Sequence, residues 1–147
     1  MQGGYLATTP VVFYVSTVDN KLYSTGHLTP ISTNACGAFA ADPNPGGTST
    51  VYYADANTVL SAAGGYTSTQ SDGNNFEGLW FAHGRLVAVD DEGFWYTLPA
   101  NGSGATVAEA DAFWPGDGTS GGWVLADSPG AIFFARGRSI YKAVLDT

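Results

Sequence analysis

GGYLATTPVVFYVSTVDNKLYST, residues 3 to 25, and GGWVLADSPGAIFFARGRSIYKA, residues 121 to 143, match strand for strand and turn for turn. Each opens on Gly-Gly-aromatic and turns into a middle strand, Val11-Val12-Phe13-Tyr14-Val15 in one and Ala131-Ile132-Phe133-Phe134-Ala135 in the other. A second turn leads into Lys21-Leu22-Tyr23-Ser24 or Ser139-Ile140-Tyr141-Lys142. Short β-branched and aromatic runs bounded by Gly, Pro, Asn and Asp are the pattern of strands and turns, and no helical periodicity competes with it. The class is all-β.

Two middle copies follow the same plan. GAFAADPNPGGTSTVYYADANTVLSA, from residue 37, carries a longer Pro-Gly turn; GLWFAHGRLVAVDDEGFWYTL, from residue 78, shortens that turn to His83-Gly84. Taking Val15, Ala54, Val89 and Ala135 as equivalent gives spacings of 39, 35 and 46 residues, which straddle the ~40 residues of a four-stranded propeller blade. The chain of 147 residues is then one domain, residues 1–147, with antiparallel units at about 3–25, 36–63, 76–100 and 121–147. A sheet with one wet face alternates apolar and polar residues. The middle strands do not alternate, so both faces of each small sheet are expected to be covered by neighbours.

On its Gly-Gly-aromatic strand starts and the Tyr of its outer strand, essentially the whole chain resembles the blades of small lectin-type β-propellers. The resemblance implies four strands per unit, the fourth drawn from the connections Leu28–Ser32, Tyr66–Thr69 and Thr106–Ala110. Units two to four have room for it, whereas only Met1 and Gln2 precede the first. A blade short of one strand leaves an open edge, which natural proteins cover or pair. The expected ring is therefore incomplete or completed by oligomerisation. A β-trefoil has units of similar length but three of them, and a β-sandwich is the other alternative.

Hydrophobic residues make up 44% and charged residues 12% of the chain, and five basic against 13 acidic residues give a net charge of -8. Too few cations are present to track phosphates, which argues against nucleic acid and anionic membrane as partners. The run Val11–Val15 is too short for a signal segment or a membrane span, so a soluble protein is expected, in a virion or extracellular setting. Cys36 is the single cysteine, so no intrachain disulfide can form, and it reads as a small buried side chain.

Little in the sequence spells out a reaction. A nucleophile needs a base in reach, and the two histidines, His27 and His83, sit in turns. Gly102-Ser103-Gly104 lacks the spacing of a nucleophile elbow. Asp90-Asp91-Glu92-Gly93 reads as a hairpin turn before Phe94-Trp95-Tyr96 rather than a calcium loop. No catalytic residue, metal site or cofactor is assigned. A small glycoside hydrolase would need a carboxylate pair from among Glu77, Glu92, Glu109 and the aspartates, and no spacing pairs any two of them.

Aromatic residues, 14% of the chain, are the remaining means of recognition. Trp80 and Trp123 stand at strand starts equivalent to Tyr5 and Phe39 and read as core. Phe113 and Trp114, with Asp117, lie in the longest connection beside Pro115-Gly116, where they form either a contact surface or a loop tucked onto the core. These three, with Asp72 and Asn74 of another turn, are the candidate ligand-binding residues. The expected function is a non-catalytic structural and recognition module in an oligomer or larger assembly, such as the decoration or fibre of a phage particle. Its partners are a second copy, an assembly protein or glycans. The alternatives are a soluble lectin with repeated sugar sites and the small hydrolase.

Overall fold

The computed structural model describes residues 1–42, 47, 49–82, 84–99, 104–128 and 130–144. They form four separate sheets in chain order. The first contains β1 (Gln2–Leu6), β2 (Thr9–Val15) and β3 (Leu22–Ser24); the second begins with β4 (Ala38–Ala41), β5 (Val51–Asp55), β6 (Thr58–Ser61) and β7 (Thr67–Gln70). The third begins with β8 (Phe76–Ala82), β9 (Arg85–Asp90) and β10 (Trp95–Leu98). The connection that follows holds two short strands, β11 (Ala105–Val107) and β12 (Ala112–Trp114), separated by one 3-10 turn, Glu109–Asp111. The fourth sheet contains β13 (Trp123–Ser128), β14 (Ala131–Arg136) and β15 (Ser139–Val144). Four sheets with antiparallel cores fit neither three trefoil units nor the two sheets of a sandwich.

Val15, Ala54, Val89 and Ala135 occupy the same place in their sheets, opposite Leu22, Val59, Trp95 and Ile140 of the next strand. These pairs mark what we term the forward face of each sheet. One residue along, the rear face is marked by Tyr14 opposite Tyr23, Tyr53 opposite Leu60, Ala88 opposite Tyr96 and Phe134 opposite Tyr141. The alternation of side chains along a strand makes this division strict.

Three cores lie between consecutive sheets, forward face against rear face. Phe13, Val15 and Leu22 meet Tyr53 and Leu60; Ala54 and Val59 meet Ala88 and Tyr96; Val89 and Trp95 meet Phe134 and Tyr141. The sheets' first strands also touch in sequence, β1 with β4, β4 with β8 and β8 with β13. Both faces of β5 and β9 therefore carry core residues, whereas β2 and β14, whose unalternating runs Val11–Val15 and Ala131–Ala135 led to the expectation of two covered faces, have a core on one face only, because each belongs to an end sheet with a single neighbour. The glycine of a strand start has a packing reason as well. A methyl group at Gly4 would stand 2.5 Å from the Phe13 ring, and one at Gly122, where φ is +141°, 2.6 Å from the Trp95 ring.

The extra strands differ from expectation. Leu28–Ser32 forms no strand. β7, close to the expected Tyr66–Thr69, pairs with β6 and so extends the unit before it rather than the one after it. β11, which overlaps the expected Thr106–Ala110 only at Thr106 and Val107, runs back to the second sheet and pairs with β7 in parallel, and β12 becomes the fourth strand of the third sheet by pairing with β10. The fourth sheet therefore has three strands, like the first, and only the two middle sheets are widened. β7 and β12 each take the nearest open edge, that of the sheet just built, whereas β11 passes over the third sheet to reach the open edge of β7.

Candidate functional site

The structure divides the five candidate residues between two places. Phe113 and Trp114 are half-buried on β12, in the seam between the third and fourth sheets. Trp114 lies with its ring centroid 4.6 Å from Tyr141 and 5.8 Å from Phe134, and Phe113 meets Phe134 edge-on at 6.0 Å. They belong to a strand tucked onto the core, not to an exposed loop. Asp117 forms an ion pair with the buried Arg136. Arg136 also donates to the carbonyls of Gly93 at 2.8 Å and Thr119 at 3.1 Å, fastening the end of β14 to the turn of the third sheet. Partial desolvation pushes the Asp117 carboxyl up, but hydrogen bonds from Thr119 and the Arg136 guanidinium win and hold it below the usual carboxylate range.

Asp72 and Asn74 lie at the other seam, between the second and third sheets. Asp72 accepts from Ser71 Oγ at 3.1 Å and from the backbone N–H of Glu109 at 3.3 Å; Asn74 donates to Asp90 at 3.4 Å. Asp90 is the centre of this corner. Its carboxylate is fully buried and accepts from the backbone N–H of Glu92 (3.1 Å) and Phe94 (2.9 Å), from Tyr96 OH (2.9 Å), and more distantly from Gln70 Nε2 (3.4 Å). Gln70 also donates to Tyr96 OH at 2.6 Å. Burial, then the bond to Asp90, pushes the Tyr96 phenol well above its ordinary value. The expected hairpin turn at Asp90 is present, and its first residue also ties two sheets together.

Among the hydrolase candidates, Glu109 has a raised carboxyl, first through desolvation and then through the neighbouring Asp72, Glu92 and Asp90. Glu77 lies elsewhere, on the wall of a cavity. Asp90, with all its acceptor sites occupied by the fold, is a structural carboxylate rather than a base. Among the described residues, no three His, Cys, Asp or Glu side chains group as metal ligands. His27 is exposed in a loop, while His83 and Ser103 lie outside the described residues. Cys36 is buried, and burial pushes its thiol up to about 12, far from a reactive thiolate. Among the described residues no helix is long and apolar enough to cross a membrane.

Among the described residues, two sheet faces have no sheet against them. On the forward side of the fourth sheet Trp123, Ile140 and Val144 are 69%, 69% and 71% exposed, and Leu125 beside them is 54% exposed. Phe133 and Ala135 are the half-buried floor of this face. Trp123 is therefore not the core residue its position in the repeat implies. On the rear side of the first sheet lie Val12, 37% exposed, and the half-buried Tyr5, Tyr14 and Tyr23, the last two stacked at 5.9 Å. Between the sheets, a cavity of about 530 Å³ is bordered by the strand starts of all four, including Gln2, Phe39, Glu77, Trp80 and Trp123.

Sequence reasoning missed Leu125, Ile140 and Val144. The available signal was the third strand of the last unit, where Ile140 and Val144 alternate with Tyr141 and Ala143, leaving both faces largely apolar around Lys142. Comparison with protein-family models, with curated proteins and with solved structures gives no match.

Proposed function

We propose that this protein is a non-catalytic structural and recognition module that works by association, its four sheets set around a common axis as propeller-like blades. The observation that carries this reading is the open face of the fourth sheet, where four large apolar side chains on β13 and β15, the two strands that flank β14, are more than half exposed. A monomer rarely leaves such a contiguous patch in water without use for it. Burying those four side chains would contribute on the order of 5 kcal/mol, before the lost translational and rotational freedom of association is set against it. Polar groups support the same reading by their employment: Asp90, Arg136, Gln70 and Tyr96 are engaged in hydrogen bonds that hold the fold together.

Light scattering at several protein concentrations tests the reading. A mass that rises above that of one chain as concentration increases is expected, and a strict monomer at every concentration would overturn it.

A second reading, a glycan-binding module, is favoured by one observation: the half-buried Trp80 and the exposed Trp123 meet edge to face at 6.4 Å on the cavity wall that also carries Glu77. Flat aromatic faces beside a carboxylate suit a sugar ring. This moves the expected sugar contact from Trp114 to the cavity. Binding on a glycan array that Glu77→Gln abolishes would support it, and no binding to any glycan would remove it.

A further inference from the structure

We infer that the open forward face of the fourth sheet and the open rear face of the first sheet are the two sides of one more seam, made head to tail between two copies of this chain. This rests on the association proposed above and adds the partner and the geometry.

Three seams inside the chain are built on one rule, forward face on rear face, with the same positions in contact each time. The forward pair of the first three sheets is Val15 with Leu22, Ala54 with Val59 and Val89 with Trp95; in the fourth it is Ala135 with Ile140. Leu22, Val59 and Trp95 are all fully buried by the next sheet, whereas Ile140 is 69% exposed. The rear pair repeats in the same manner. Tyr53, Ala88 and Phe134 are buried by the sheet before, and their counterpart Tyr14, opposite Tyr23, has no sheet over it.

The two uncovered faces are thus not a matched pair of identical patches. One has the chemistry of the side that covers, the other of the side that is covered. A second copy supplies both complements at once, in the register the chain already uses three times, and the new contact continues an interface that exists within each copy. Contacts of this heterologous kind close into a ring when the rotation per copy permits and otherwise extend as a filament. An isologous contact would instead set a forward face against another forward face, with no counterpart of the repeated packing.

Single-face variants of the full chain test this. Ile140→Lys blocks the forward face of the fourth sheet and Val12→Lys the rear face of the first, since a charge buried in an apolar seam should weaken it more than about tenfold. Both sites are solvent-facing, and unchanged melting temperature and circular dichroism confirm the fold. Val144→Lys and Tyr5→Lys replace either variant that does not fold. Head-to-tail pairing predicts that wild type associates, that each variant alone is a monomer, and that a mixture of the two forms a complex of one chain of each through the remaining intact faces. If one variant self-associates like wild type, or the mixture stays monomeric while wild type associates, the head-to-tail seam is wrong and association by another surface stands. A monomeric wild type overturns the association itself.

Discussion

On β14, Phe134 points to the rear of the fourth sheet and Phe133 to the front. The two residues are chemical twins, one position apart. Phe134 is fully buried among Trp95, Phe113, Trp114 and Tyr141, with its ring centroid 4.6 Å from Trp95, while Phe133 lies half-buried on a face that carries exposed Trp123 and Ile140. The difference teaches that apolar chemistry and coverage are separate properties. Strand composition sets the first, and the presence of a neighbouring sheet sets the second.

The largest break in this comparison should come from Phe134→Ala, which empties a packed seam and should cost about 3–5 kcal/mol in denaturant unfolding. Phe133→Ala at the same protein concentration, kept low enough to hold the chain monomeric, should cost less than about 1.5 kcal/mol. Equal losses would mean that the front of the sheet is already covered. Next in size is the polar tie of the middle seam. Tyr96→Phe removes the hydroxyl between Gln70 and Asp90 and leaves both groups buried without it, so roughly 1–3 kcal/mol of stability should be lost. No change in the unfolding midpoint would show that the two neighbours satisfy each other directly.

The smallest effect concerns the tie of the third seam. Asp117 titrates below the usual carboxylate range in the folded chain, so its contribution is present above the unfolded carboxyl value and is lost as pH falls through the lower folded value. Asp117→Asn should therefore lower the melting temperature slightly at pH 7, and the gap from wild type should narrow on acidification. A gap that is constant from pH 7 to pH 2 would show that the charge of Asp117 contributes nothing.

The repeat was legible because each unit restates its register: a turn, five apolar residues, a turn, an outer strand. Val15, Ala54, Val89 and Ala135 could be matched by their place in that sequence alone. The attachment of the connecting strands was not legible. Thr67–Gln70 and Ala112–Trp114 are three or four residues long, and nothing in so short a segment states which of two open edges it will pair with. Phe113 and Trp114 looked like loop aromatics because Pro115-Gly116 follows them, yet pairing with β10 makes them seam residues. The turn at Asp90 could be read locally. Its bond to Gln70 on another sheet could not, because it depends on how two sheets are set against each other. Trp123 marks the same limit: equivalence within a repeat says where a side chain points, not whether anything stands there.

The backward path of β11 has a consequence for the order of events as the chain is made. The second sheet acquires its last strand from residues 105–107, which lie beyond the whole core of the third sheet. On a chain synthesised from its N-terminus, the first sheet can be completed early, but the second cannot finish until the third has been passed through the ribosome. The middle pair then matures as one late event built on distant contacts, the slow kind in folding, and the outer edge of β7 waits unpaired until β11 arrives.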